Sequence, residues 1–173
     1  MDERPRRVFI IGLMGSGKST IGRRLSNRIG WPYVDNDELV VRATGRSAPE
    51  IVAADGADAL HEAELRAFEH GASLPPPVIV GVAGFVVMDA ESRFRMRTAG
   101  RVVWLRARPE TLHTRVGTGR GRRPAATSLE GVTAVVDERS PTFLEAADVV
   151  IDVDRLRPRL VAEEIVSRLG LDA

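Results

Sequence analysis

The sequence predicts an α/β fold in which a five-stranded parallel sheet is flanked by helices. Three observations carry this. Short apolar runs recur five times along the chain, segments with apolar residues at helical spacing fill every gap, and the first run passes straight through a glycine-rich loop into a helix. Strands separated by helices run parallel, because each helical crossover returns the chain to the same end of the sheet.

Val8-Phe9-Ile10-Ile11 is an unbroken apolar run, the pattern of a strand buried on both faces. Residues 19–29 repeat apolar side chains at helical spacing and give the first helix. Pro32-Tyr33-Val34-Asp35 is a second short strand, and residues near 37–43, 48–54 and 56–70 read as helices divided by Gly45 and Gly56. The triplet Pro75-Pro76-Pro77 reads as a connector, because Val78-Ile79-Val80-Gly81-Val82 follows at once as the third strand. Val102-Val103-Trp104-Leu105 and Val149-Val150-Ile151 supply the fourth and fifth. Helical patterns near 89–98, 109–116, 128–146 and 158–169 complete the alternation. Residues 1–173 read as a single domain, with no internal repeat and no low-complexity tail. Trp104 and Phe68 read as core, His70 and His113 as surface.

Composition narrows the function classes. Lys+Arg 25 against Asp+Glu 24 leaves a net charge of +1, which gives no general electrostatic reason to bind nucleic acid or anionic lipid. The absence of cysteine excludes disulfides and thiolate metal sites. No stretch approaches the length of a membrane span, and the first apolar run is too short for a signal peptide, so a cytoplasmic protein is expected.

The loop after the first strand, Gly12-Leu13-Met14-Gly15-Ser16-Gly17-Lys18-Ser19, spells G-x-x-x-x-G-K-S. Lys18 is the only lysine among 25 cationic side chains, and an arginine would not serve as the compact point charge that reaches β- and γ-phosphates. Gly15 and Gly17 let successive N–H groups converge on one anion, the following helix presents its positive end, and Ser19 offers a hydroxyl to Mg²⁺. Met14, Gly15, Ser16, Gly17, Lys18, Ser19 and Thr20 are therefore expected to hold the phosphates of ATP or GTP.

Ligands of such sheets bind beyond the carboxyl ends of the strands. Asp35 closes the second strand and Asp37 begins a helix, so one can serve the water shell of Mg²⁺ and the other can meet an acceptor hydroxyl. Asp37 is also a residue type that caps helices. Arg115 to Pro124 alternates glycine with arginine and cannot pack a core; it reads either as a solvated charged loop or as a cationic lid over about 115–127 that closes on the γ-phosphate and keeps water out.

Taken together, these motifs resemble the shikimate kinase family from about residue 7 to residue 169. The resemblance rests on GLMGSGKSTIGRR at 12–24, Asp35-Asn36-Asp37, Thr44-Gly45-Arg46-Ser47, Asp55-Gly56, Arg123-Pro124 and Arg139-x-Pro141-x-Phe143, in the family's order and spacing. It implies the nucleoside-monophosphate-kinase type of P-loop NTPase fold, MgATP as donor, a small-molecule acceptor bound by a helical segment at about 36–70, a monomer, and a place in aromatic amino acid biosynthesis. Lys18 and Arg123 would stabilise the transferring phosphoryl group. Ser19 would bind Mg²⁺ directly and Asp35 through water. Asp37 would receive the acceptor's proton, Arg139 would grip its carboxylate, and Arg115 with Pro158 would sandwich the adenine.

The departures lie on the acceptor side. Where the family has an arginine for the acceptor carboxylate in F-R-x-x-E, this chain has His61 within Leu60-His61-Glu62-Ala63-Glu64. Three consecutive glycines after the third strand have become Val82-Ala83-Gly84, and two added side chains are expected to narrow or reshape the pocket, leaving Gly84 as the backbone approach. His61 reads either as a helix residue whose partner has changed or as a weaker, pH-dependent stand-in for the arginine. Three functions follow: a kinase for a small carboxylated metabolite with shikimate as best named acceptor; a sibling acting on another cyclitol, sugar acid or aminoshikimate-type compound; or a catalytically impaired nucleotide-binding regulator.

Overall fold

The computed structural model describes residues 6–116 and 128–171. Five strands, β1 (Arg7–Ile11), β2 (Tyr33–Asp35), β3 (Val78–Gly81), β4 (Arg101–Arg106) and β5 (Val149–Asp152), pair in parallel in the order β2-β3-β1-β4-β5. Around them lie α1 (Lys18–Ile29), α2 (Asn36–Thr44), α3 (Ala48–Asp55), α4 (Ala57–Ser73), α5 (Ala90–Ala99), α6 (Pro109–Val116), α7 (Leu129–Ala146) and α8 (Pro158–Leu169). A single 3-10 turn, Val86–Met88, follows β3. Of the expected lid at about 115–127, residues 117–127, with Arg123, lie outside the described residues.

Strand alternation builds two cores. Val8 and Ile10 of β1 turn to one face, where they pack with Ile21 and Leu25 of α1 and Val161 and Ile165 of α8. Phe9 and Ile11 turn to the other, against Phe68 of α4, Met96 of α5 and Phe143 of α7. Trp104 and Phe68 belong to this second core, as their sequence context predicts. His70 is exposed, whereas His113 is half-buried rather than a free surface residue. A third, smaller cluster of Leu39, Val40, Ile51, Leu60 and Ala67 joins α2, α3 and α4, so the helical segment past β2 carries its own core.

At the sheet's far edge, arginines of β4 meet aspartates on and beside β5. Arg106 pairs with Asp152, its register partner, at 2.5 Å and 2.9 Å, and Arg101 with Asp148 at 3.3 Å. Among the described residues no helix is long and apolar enough to cross a membrane.

Candidate active site

The site starts where β1 ends. Gly15 and Gly17 adopt φ +87° and +94°, a region that side chains rarely enter, and this folds the loop back on itself with Ser16 N–H donating to the Leu13 carbonyl at 3.0 Å. Gly17 is the N-cap of α1, with no side-chain cap and no acidic residue in the first turn. The unpaired N–H groups and positive end of this helix therefore face the loop, an arrangement that suits an anion. The Lys18 ammonium reaches back along the loop, donating to the carbonyls of Gly12 at 2.7 Å and Leu13 at 3.4 Å.

Sheet order then brings the second strand into reach. Asp35 pairs in register with Gly81 of β3, and Gly81 with Ile10 of β1, so the carboxyl ends of β2 and β1 lie one strand apart. Asp35 is buried, and its Oδ2 accepts from Ser19 Oγ at 2.6 Å and from the Tyr33 hydroxyl at 2.7 Å. Its Oδ1 accepts from the Asp37 N–H at 3.0 Å. The helix cap that Asp37 could have supplied is thus Asp35, and Asp37 stands in the first turn of α2 with its residue lining the cleft. Burial raises the Tyr33 phenol above its ordinary pKa, and the neighbouring Asp35 charge and hydrogen bond raise it further, so it is a donor at neutral pH.

A cleft of about 360 Å³ opens in front of these groups. Its walls include the loop from Met14 to Gly15 and Gly17 to Thr20, Asp35, Asn36 and Asp37, Glu64 of α4, Gly84 and Phe85 past β3, and Arg139 of α7. Gly84 lies against the guanidinium: a Cβ there would be 3.6 Å from Arg139 Nη1. Asn36 and Glu64 are both buried, and Asn36 Nδ2 donates to the Glu64 carbonyl at 3.2 Å, which fastens α2 to α4 at the cleft floor. On the other side of the loop a second cleft of about 280 Å³ is lined by Ser16, Gly17, Thr20, Arg115, Leu156 and Pro158. Arg115 Nη1 donates to the Gly15 carbonyl at 3.2 Å, tying α6 to the loop.

The acceptor-side residues singled out in the sequence take different places. His61 does not line the acceptor cleft; its ring stacks on Phe85, centroids 3.5 Å apart and planes 5° from parallel. Val82 has 0% exposure and Ala83 8%, and both pack in the second core while also lining the cleft, so the residues that replace two glycines are at once core and cleft wall. Tyr33, Asn36, Glu64 and Phe85 join the site without having been singled out as site residues. Only Glu64 carried a signal, its place in the F-R-x-x-E pattern.

The donor set fits a hard cation. A serine hydroxyl and a carboxylate stand together beside the phosphate loop, while among the described residues no group of three or more His, Cys, Asp or Glu forms a metal cage. That is the pattern of Mg²⁺ bound jointly by protein and nucleotide phosphates.

A phosphate loop at the first strand of a five-stranded parallel sheet, facing a carboxylate at the second, defines a P-loop phosphotransferase of the nucleoside-monophosphate-kinase type. A family model described as shikimate kinase matches residues 14–170. A shikimate kinase of Symbiobacterium thermophilum is 37% identical over 166 residues, 94% of this chain and 95% of its own length. One of Moorella thermoacetica is 34% identical over 167 residues, 95% of each. Among solved structures, a shikimate kinase from Acinetobacter baumannii in complex with shikimate aligns with TM-score 0.89 at 23% identity, covering 98% of this chain and 94% of that one. A gluconokinase from Sinorhizobium meliloti aligns with TM-score 0.61 at 19% identity, over 97% of this chain and 94% of that one, and shares the fold. The chain belongs to the shikimate kinase family and is an ATP-dependent kinase with an alcohol group as acceptor.

Proposed function

We propose that the protein transfers the γ-phosphoryl group of MgATP to a hydroxyl of shikimate, giving 3-phosphoshikimate. The observation that carries this reading is the single cleft in which Asp37 and Arg139 stand across from the phosphate loop. A hydroxyl acceptor with a carboxylate needs one group to take the proton and one cation to fix the acid end, and these two residues supply them. Phosphoryl transfer otherwise demands little beyond positioning and charge.

The remaining roles follow from chemistry at each position. Lys18 and the loop N–H groups neutralise the phosphates, and Arg123, from the segment 117–127, adds charge at the γ-phosphate. Ser19 and Asp35 would hold Mg²⁺, which would supply positive charge to offset that of the phosphates. Arg115 and Pro158, which line one cleft beside the loop, enclose the adenine. The chain is taken to work as a monomer in the cytoplasm, where its nucleotide is.

A second reading has one observation in its favour. With His61 stacked outside the cleft, a carboxylate would meet Arg139 without a second arginine, which suits a sibling acceptor as well. A screen of acceptor-dependent ADP release with shikimate, quinate, aminoshikimate, gluconate and several cyclitols separates the two. Shikimate is expected to give the highest kcat/KM. Preference for another compound would move the assignment to it, and no release with any would leave a nucleotide-binding regulator.

A further inference from the structure

Tyr33 is two residues before Asp35 on β2, so both side chains lie on the same face of the strand. Its hydroxyl donates at 2.7 Å to Asp35 Oδ2, the same oxygen that accepts from Ser19 Oγ at 2.6 Å. With the Asp37 N–H on Oδ1, three donors fix both oxygens of one carboxylate.

The tyrosine is seated in a slot made for it. A Cβ on Gly22 would overlap the Tyr33 ring, and a Cβ on Gly81 would overlap its hydroxyl. Gly22 is interior to α1 and Gly81 closes β3, places where glycine costs roughly 0.5–1 kcal/mol against alanine. Neither has positive φ, so the backbone does not require glycine there. Space does, and the space is filled by Tyr33.

We propose that Tyr33 is a positioning residue for the metal side of the site: its hydroxyl holds Asp35 in the orientation that accepts the Ser19 hydroxyl proton, leaving the Ser19 lone pairs directed away from the carboxylate toward a cation. The inference rests on the reading of Ser19 and Asp35 as the residues that hold Mg²⁺. Two effects of the hydroxyl oppose each other. Donation draws charge from the carboxylate and weakens its pull on a cation, while fixing its orientation strengthens it. Orientation wins, because Asp35 acts through water, which dilutes a small change in charge, whereas a turned carboxylate loses the Ser19 bond outright. Hydrogen-bonding partners of metal-binding groups are worth about 10- to 100-fold in affinity, and with the Asp37 N–H still on Asp35 the loss falls near the lower end.

The test is Mn²⁺ binding in the presence of ADP, read from the electron paramagnetic resonance of free Mn²⁺, for the wild type, Tyr33→Phe and Gly81→Ala. Tyr33→Phe keeps the ring in its slot and is expected to weaken Mn²⁺ about 5- to 10-fold. The Mg²⁺ concentration for half-maximal rate should rise in step, with the shikimate KM within about twofold. Gly81→Ala keeps the tyrosine but puts a methyl where the hydroxyl lies, and the same weakening is expected, so the outcome does not depend on one variant folding. Unchanged or tighter Mn²⁺ binding in Tyr33→Phe overturns the proposal and leaves the tyrosine as packing. Failure of the wild type to bind Mn²⁺ with ADP would instead overturn the metal reading of Ser19 and Asp35.

Discussion

The imidazole of His61 lies flat on the ring of Phe85, and only Phe85 faces the acceptor cleft. Phe85 lines the cleft and is the ring that covers His61, so it is expected to screen position 61 from a carboxylate held at Arg139. Substituting His61→Arg alone cannot deliver a guanidinium past that ring, and the shikimate KM is expected to stay within about twofold of wild type. In a Phe85→Ala background the same arginine has a path. It should then lower the KM about tenfold relative to Phe85→Ala, the value of roughly 1.4 kcal/mol from a charge-assisted hydrogen bond. Steady-state kinetics on the four proteins of this cycle decides it; a gain from His61→Arg alone would show that Phe85 is no barrier.

Lys18 is the chain's only lysine, and its ammonium already lies along the loop, on the carbonyls of Gly12 and Leu13. Those carbonyls are poor substitutes for phosphate oxygens, so the side chain is available to a nucleotide at little cost. Lys18→Ala is expected to lower kcat by about 10³-fold or more, and Lys18→Arg to recover little, because a planar fork does not fit a site shaped for a point charge. Acceptor-dependent ADP release measures both. Near-normal turnover in the alanine variant would remove the phosphate loop from the chemistry.

The phosphate half of the site was legible because it is local: a strand, eight loop residues and a helix carry it, and the glycines declare their own backbone. The acceptor half is gathered from α4, the turn after β3 and α7, and its geometry depends on which way each side chain leaves its element. Hence the sequence shows Val82 and Ala83 as changes to the pocket but not that they are core as well, and it shows His61 as a stand-in cation or a helix residue with a changed partner but not that the partner is Phe85. Tyr33 was read only as a strand residue, because its hydroxyl matters only once Gly22 and Gly81 leave room for it. The fold was read almost completely, since buried parallel strands are plain apolar runs. Helix α4 runs on to Ser73 rather than ending near 70, because Gly71 is a point of close approach: a Cβ there would be 3.2 Å from Val80 and 3.3 Å from Leu39.

The Arg106 and Asp152 pair ties the edge strand to its neighbour, and the hydrogen bond from Arg106, more than simple charge, holds the Asp152 carboxyl below its usual pKa. Both side chains are substantially exposed, so the pair is worth about 1 kcal/mol or less. Because the folded pKa is depressed, the contribution is complete above the unfolded value of about 3.9 and disappears as pH falls through the folded one. Asp152→Asn should lower Tm by about 2–4 °C or less at pH 7, with the gap closing below about pH 4. Thermal melts followed by circular dichroism check this. An unchanged gap at pH 3 would assign the loss to packing.

Arg115 and Pro158 both line the smaller cleft with Ser16, Gly17 and Thr20, and Arg115 donates to the Gly15 carbonyl. A guanidinium stacked on adenine binds the base equally in the ground state and the transition state, since the base does not change during transfer. Arg115→Ala should therefore raise the ATP KM about 5- to 10-fold, roughly 1–1.4 kcal/mol, and leave kcat within about twofold. The split between the two constants is the diagnostic measurement. A fall in kcat with ATP affinity intact would mean that Arg115 acts on the phosphates through Gly15, and the adenine would then have to lie elsewhere.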